Sequence, residues 1–441
     1  MVRTFLICIL CSVLNVVVTF FSPYVLAEEY KFDISETEKK LYYLGGYTEF
    51  SPALLGLDKD ASLYKLGFYN RDERDTLDEY NLKLQLEGSY EKDISRLFIR
   101  TNTEYKKSYL DEFNKTSIYE GYLSLKPSPA FTIDFGKKTL KWGKGYAWNP
   151  AAFIDRPKDT NDPEASLEGY IVTSADYIKS FNGLLKTLSI TPVLIPVYEQ
   201  INDNFGEINE LNFAGKLYLL LYDTDIDFIV LIGGSKTTRY GLDFSRNITS
   251  NFEIHGEFAL INNYKKRLIE SDGSVSETIY DAKSYLMGIK YLTKSDITYI
   301  LEFYRNGTGY TSNEMQDYFS IINQGYESYR TSGDDTLLQK AINLTEGNYG
   351  KENPMRNYIY FRVSQQEPFD ILYFTPSLTW IYNIDDKSYS LSPEILYTGI
   401  TNLELRLKAS FISGQTYSEY GEKQNDYRVE LRVRYYFKLF G

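Results

Sequence analysis

Period-two alternation of apolar and polar residues runs through most of this 441-residue chain, in segments of roughly ten residues. The clearest segment is the last, YRVELRVRYYFKLF. In an extended strand, Tyr427, Val429 and Leu431 face one side, whereas Arg428 and Glu430 face the other. Roughly ten residues is also the length that a tilted strand needs to cross a bilayer. The pattern therefore predicts a membrane-spanning sheet, because the strands of a soluble sandwich are usually shorter.

Eighteen segments of this kind follow one another along the chain from residue 61 onward. We place them near 61–70, 80–90, 96–106, 116–126, 130–139, 168–178, 184–195, 211–222, 226–236, 239–246, 251–261, 280–291, 296–306, 356–365, 370–382, 388–398, 402–412 and 427–438. Short connections such as KPSPA and TKSD alternate with long ones. We therefore predict an all-β, antiparallel transmembrane barrel of 16–18 strands, with 18 favoured, short periplasmic turns and long extracellular loops.

Two of these segments are apolar on both faces, NFAGKLYLLLY and IDFIVLIGG. They are joined by a tight turn at Asp223–Asp225. Residues that face the interior of a water-filled barrel are normally polar. We therefore expect the inner faces of these two strands to pack against something inside the barrel, such as a folded loop.

The N-terminus has the pattern of a secretory signal peptide, which we assign to residues 1–27. Arg3 precedes an apolar run, and Val25 and Ala27 form a small-residue cleavage pattern. An uncleaved membrane anchor is the alternative. Cys8 and Cys11 both lie in this segment, so the mature chain has no cysteine. We assign residues 28–60 to a periplasmic or plug-like lead and 61–441 to the barrel, although LYYLGGYTEF within the lead alternates weakly and would add a strand.

The signal segment, the alternating strands and the final strand VRYYFKLFG, with Phe440 next to the terminus, resemble the outer-membrane porin superfamily of Gram-negative bacteria. The resemblance implies an outer-membrane channel for passive diffusion of small hydrophilic solutes. It also implies contact with membrane lipid and lipopolysaccharide, and possible homo-oligomers. The net charge of −12 makes nucleic acid a poor partner.

One connection is unlike the others, LKWGKGYAWNPAAFIDRPKDTNDPE within residues 140–167. It holds Trp142 and Trp148, two of the three tryptophans, together with Pro150, Pro157 and Pro163. Its prolines and glycines exclude a regular strand or helix. It is the third long connection, and the resemblance implies that the third outer loop of such a barrel folds inward and narrows the lumen. An outer cap packed on neighbouring loops is the alternative.

The charged and aromatic residues of this loop are the predicted pore constriction. They are Trp142, Lys144, Tyr146, Trp148, Asp155, Arg156, Lys158, Asp159 and Asp162. A second predicted group is a basic ladder on the lumen side of the last two strands, formed by Arg406, Lys408, Arg428, Arg432 and Arg434. Such a ladder would be a track for anions. Alternatively, Glu404 and Glu430 neutralise it in ordinary wall pairs.

No catalytic motif accompanies the only histidine, His255, so we expect a wall residue and no enzyme activity. We also expect no cofactor and no metal site. The alternative function is a non-catalytic scaffold or sheath for a partner, such as a redox conduit or an export complex. Its docking element would be the long outer loop 306–356, which exceeds ordinary loop lengths.

Overall fold

Eighteen antiparallel strands close into one barrel in the computed structural model, which describes residues 40–440. The strands are β1 Tyr42–Leu57, β2 Thr76–Lys92, β3 Ser95–Ser108, β4 Glu112–Ser128, β5 Phe131–Lys138, β6 Tyr170–Ser180, β7 Leu185–Val197, β8 Glu210–Leu221, β9 Thr224–Ile232, β10 Arg239–Thr249, β11 Phe252–Ile269, β12 Val275–Leu292, β13 Ile297–Arg305, β14 Asn357–Gln365, β15 Phe374–Asn383, β16 Tyr389–Ile400, β17 Leu403–Ser413 and β18 Asn425–Phe440. Each strand pairs with its sequence neighbours, and β1 closes the ring by pairing with both β2 and β18. The predicted antiparallel barrel of 18 strands is confirmed.

The outer surface of the barrel is apolar. On β12, for example, Tyr285, Met287 and Ile289 are exposed, while the alternating Ser284 and Leu286 are buried inside the ring. A continuous apolar belt of this kind is unfavourable in water and favourable in lipid. A closed antiparallel barrel with such a belt is an outer-membrane architecture. Within residues 40–440, no helix is long and apolar enough to cross a membrane.

The two ends of the barrel differ in the length of their connections. At the end where Tyr42 and Phe440 lie, which we call the turn end, connections range from 93–94 to 366–373. At the opposite end, which we call the loop end, the longest connections are 58–75, 139–169 and 306–356.

The first strand was predicted at the wrong place. Residues Tyr42–Leu57, assigned to a periplasmic or plug-like lead, form β1, which pairs with β2 from Tyr42 to Gly56 and with β18 over most of the range from Leu44 to Leu57. Gly45, Gly46 and Pro52 interrupt the alternation of β1, which explains the error. The lead therefore does not extend to residue 60, and its remaining part, 28–39, lies outside the described residues together with the predicted signal peptide 1–27.

The segment predicted as a strand at 61–70 is instead a short helix, α1, Ser62–Phe68. The predicted number of strands was right because these two errors cancel. Tyr64 and Phe68 pack on the barrel wall, whereas Leu66 belongs to a second core on the other side of the helix. A two-turn helix that is buried on opposite sides has the same alternation of apolar and polar residues as a strand. The sequence pattern therefore could not distinguish a helix from a strand here.

The long connection 306–356 is largely helical, which the sequence did not predict. It contains α2, Ser312–Ser332, and α3, Thr336–Leu344. At the start of α2, the Thr311 hydroxyl accepts from the Glu314 amide and the Glu314 carboxylate accepts from the Thr311 amide. The buried faces of both helices, including Phe319 and Leu338, pack into a core that also holds wall residues. Much of the apolar surface of this connection is therefore used inside the protein.

Candidate functional site

The connection 139–169, between β5 and β6, lies inside the ring of strands. Its polar contacts reach inward-facing residues on widely separated parts of the wall. Glu257 on β11 and Glu302 on β13 bind its first half. Arg406 on β17 and Arg432 on β18 bind its second half. A segment that is bonded to these separate sectors of the inner wall crosses the lumen. We call this connection the lumen loop.

Glu257 is the main anchor of the lumen loop. One carboxylate oxygen accepts from the backbone amides of Lys144 and Gly145, at 2.6 and 2.7 Å, and from the Asn149 side chain at 2.8 Å. The other oxygen accepts from the Ala151 amide at 3.0 Å. Glu257 is 4% exposed, so these bonds replace the hydration of both partners.

Glu302 repeats this arrangement two strands away. Its carboxylate accepts from the Tyr146 amide and, at 2.9 Å, from the Ala147 amide. His255 lies 2.9 Å from the same carboxylate and 3.4 Å from Glu253. The sole histidine is thus a wall residue between two acids, and it supports the carboxylate that holds the loop.

The lumen loop is also tied to itself. The Asp155 carboxylate accepts from the backbone amides of Leu140, Lys141 and Trp142, at 3.0, 3.0 and 2.7 Å. Burial raises the pKa of Asp155, and these three bonds oppose that rise. The Lys158 ammonium donates to backbone carbonyls of the first half of the loop, and burial lowers the pKa of Lys158. The two halves of the loop are therefore held as one compact unit.

The apolar residues of the loop pack on the wall formed by β6 to β11. Trp142 and Phe153 are 4% exposed and share a core with wall residues that include Ala214, Ile229 and Leu231. These three come from the two strands that the sequence shows to be apolar on both faces. The prediction that their inner faces pack under a folded loop is confirmed.

Trp148 packs farther round the ring, on β13 and β14. Its ring stacks on Tyr304 at 5.0 Å between centroids and lies 5.9 Å from both Tyr358 and Tyr360. Its indole nitrogen donates to the Asn353 side chain at 3.2 Å. This contact joins the lumen loop to the helical connection 306–356.

The tip of the lumen loop reaches the opposite wall. Asp162 pairs with Arg432 at 2.7 Å and with Arg406 at 3.4 Å, and Lys408 donates to the Asn161 carbonyl at 2.6 Å. Burial acts to raise the pKa of Asp162, but Arg432 and Arg406 outweigh it and lower that pKa. The carboxylate is therefore held in its charged form.

The basic ladder predicted on β17 and β18 lies on one inward face, but acids accompany it. Glu430 contacts Arg428 at 2.9 Å and Arg432 at 3.3 Å. Arg434 pairs with Glu49 on β1 at 2.6 Å and lies 3.7 Å from Glu404. The ladder is therefore a band of alternating charges, which is the alternative stated from the sequence.

Exposure differs sharply around the inner wall. Under the lumen loop, Glu257 and Glu302 are 4% and 0% exposed, whereas the Lys144 and Lys216 side chains keep 25% and 22%. On β2 and β3, the inward side chains of Lys83, Glu87 and Glu104 remain 31%, 28% and 23% exposed. Other inward side chains of the first strands are buried, including Glu49 on β1, Gln85 on β2 and Asn102 on β3. The part of this wall that stays exposed to solvent is therefore the charged stretch around Lys83, Glu87 and Glu104.

The predicted constriction residues have different positions. Trp142, Trp148 and Asp155 are engaged with the wall or the loop backbone, and Lys144 pairs with Asp227 on β9 at 3.0 Å. Within the loop region, the Tyr146 hydroxyl donates to Glu164, and Lys158 donates to backbone carbonyls of the loop. Arg156 lies near Glu168 and donates to the Asn204 side chain. Asp159 is exposed at the surface, and Asp162 pairs with the basic ladder.

Sequence reasoning missed Glu257 and Glu302. Nothing in the local pattern of β11 or β13 separates them from other inward acids. Within residues 40–440, no group of three or more His, Cys, Asp or Glu side chains is arranged to hold a metal ion.

No protein-family model matches the sequence, and no curated protein matches it as a relative. Solved structures do match. OccAB1 of Acinetobacter baumannii superposes with a TM-score of 0.54 at 9% identity, covering 90% of this chain and 97% of its own. OccAB2 of the same organism superposes with a TM-score of 0.53 at 10% identity, and the match covers 90% of this chain and 98% of OccAB2. OccK5 (OpdH) of Pseudomonas aeruginosa superposes with a TM-score of 0.52 at 12% identity, and the match covers 90% of this chain and 98% of OccK5. The chain therefore has the barrel fold of these three proteins.

Proposed function

We propose that this protein is an outer-membrane channel for passive diffusion of small hydrophilic solutes, and that residues 140–167 form its constriction. One observation carries the proposal. The lumen loop crosses the barrel and buries the wall on one side, while Lys83 and Glu104 on the other side stay partly exposed. The proposed passage is therefore off-centre, between the loop and the charged inner faces of β2 to β4.

The lining of this passage fits polar solutes. Its inward side chains form ion pairs, among them Arg100 with Glu120 at 2.9 Å and Lys106 with Glu79 at 2.9 Å. Charges of both signs in a narrow, water-filled space favour hydrated polar molecules and oppose apolar ones. Outer-membrane lipid and lipopolysaccharide would contact the apolar exterior, with the loop end facing outward. Homo-oligomers remain a prediction.

Deletion of residues 145–162 tests the proposal. The barrel should still fold, because its wall hydrogen bonds do not involve the lumen loop. Single-channel conductance in planar bilayers should rise several-fold. A second variant, in which the same residues are replaced by Gly and Ser at equal length, should also conduct more than the parent, because it lacks the anchored contacts. A folded parent without any current would refute the channel, and unchanged conductance in both variants would refute the constriction.

A further inference from the structure

Three basic side chains meet around one aromatic cluster at the loop end of the lumen. They are Arg156 of the lumen loop, Lys236 of the connection 233–238 and Arg239 at the start of β10. The Lys236 ammonium lies 3.7 Å from the centroid of the Phe205 ring. The Arg156 guanidinium lies 4.7 Å from the Tyr170 ring.

The aromatic rings bring these cations together. Tyr170 and Phe205 are in contact, with centroids 5.0 Å apart. Lys236 also lies 3.4 Å from the Phe153 carbonyl, and the Arg239 guanidinium lies 6.0 Å from the Phe153 ring. Ring faces attract cations but do not neutralise them.

Acidic partners are scarce at this cluster. Among the described residues, no ion pair includes Lys236 or Arg239, and Arg156 has only Glu168, at 3.8 Å, which also pairs with Lys137. The Nε atoms of Arg156 and Arg239 are buried without a hydrogen-bond partner. Burial, and then the charges of Arg239 and Arg156, lower the pKa of Lys236 to about 7. Buried hydrogen-bond donors without an acceptor, and buried cations without a counter-charge, destabilise the folded protein.

We propose that Arg156, Lys236 and Arg239 form a binding site for a small oxyanion or carboxylate. A bound anion would accept from the unpartnered donors and balance the excess positive charge. The site belongs to the lumen, because Arg239 shares the inward face of β10 with Gly241, which packs on the lumen loop, whereas Tyr240 is 48% exposed on the outer face. The ligand is therefore a soluble anion and not a lipid headgroup.

This inference deepens the proposed function by adding anionic solutes, and it depends on the channel only for the route by which the anion arrives. Binding is measured on the detergent-solubilised protein by calorimetric titration with sulfate, which does not titrate near neutral pH, at constant ionic strength. We expect saturable binding in the parent. Lys236→Met and Arg239→Gln should each weaken it at least tenfold. The control Lys59→Met, which removes a loop-end lysine paired with Asp75 at 2.8 Å, should leave it unchanged.

The pH dependence of sulfate binding distinguishes this site from non-specific attraction of anions to positive charge. The charged groups that act on Lys236 are Arg239 on β10 and Arg156 in the lumen loop. An anion stabilises the charged ammonium, so sulfate affinity should increase as pH falls through about 7, and Lys236→Met should remove this dependence. No binding by the parent, or equal losses in all three variants, would overturn the site. Because the titration needs no current, a failed site and a failed channel are distinguishable.

Discussion

Replacement of Glu257 by leucine should release the first half of the lumen loop. Glu257 accepts four hydrogen bonds from this segment, three of them from the backbone amides of Lys144, Gly145 and Ala151. Leucine has a similar volume but accepts none. The three amides would then be buried without partners as long as the loop stays docked.

The free-energy cost of the unpartnered amides exceeds the stabilisation that packing of one side chain provides. An unpartnered buried amide costs about 1–3 kcal/mol, so three of them cost about 3–9 kcal/mol. Against this, burial of Trp148, the large aromatic side chain of the same segment, stabilises docking by about 1.5–3 kcal/mol, and Glu302 keeps its bonds to the Tyr146 and Ala147 amides. We therefore expect residues 144–151 to detach and hydrate, while the remainder of the loop stays on the wall.

Two signals should report the release. Single-channel conductance should rise, because the detached segment no longer fills the lumen. Tryptophan emission should shift to longer wavelength, because Trp148 leaves its contacts with Tyr304 and Tyr358 for water. The control is Glu253→Leu, four residues away on the same face of β11, where the lost contacts are with Ser245 and His255 and not with the lumen loop. Parent-like conductance and emission in a folded Glu257→Leu barrel would refute the anchor.

Three further predictions concern the wall, the loop junction and the backbone. Lys83→Glu should shift the zero-current potential in a salt gradient toward cation preference, since this side chain faces the proposed passage; an unchanged potential would contradict that position. Burial, and then Asp159, raise the pKa of Glu352 from 4.5 to about 7, so the folded state binds its proton more tightly. Stability against urea should therefore fall as pH rises from about 4.5 to about 7, and Glu352→Gln should flatten this slope. Gly136→Ala should lower the urea midpoint, because Gly136 has φ 123° and a Cβ there would lie 2.3 Å from the Gly121 carbonyl, a strain of roughly 1–3 kcal/mol; an equal midpoint would contradict it.

The barrel was predictable because its strands obey a strict physical rule. Lipid on one side and water on the other impose alternation, which β18 shows from Tyr427 to Leu439. The rule fails where strands are interrupted, as at Gly45 and Gly46 of β1, and where a short helix is buried on two sides, as at Ser62–Phe68.

The site was only partly predictable. The aromatic and proline content of residues 140–167 identified an unusual loop, and the two doubly apolar strands showed that something packs inside the barrel. Which acids hold that loop could not be predicted. Glu257 lies 112 residues from Gly145 in sequence, and its pairing depends on how far the loop reaches across the ring. A still larger separation, 205 residues, hid the link between Trp148 and Asn353.

Thiol accessibility tests the off-centre passage most directly. Both natural cysteines, Cys8 and Cys11, fall within residues 1–27, so cysteines placed in the barrel report their own surroundings, with the parent as control. Lys83→Cys faces the proposed passage, and Ser284→Cys lies on the inner wall beside the connection 306–356, where Ser284 is 3% exposed and accepts from the Gly307 amide. A charged methanethiosulfonate reagent should reduce the single-channel current of Lys83→Cys and leave that of Ser284→Cys unchanged. Reduction of current in Ser284→Cys alone would contradict the account.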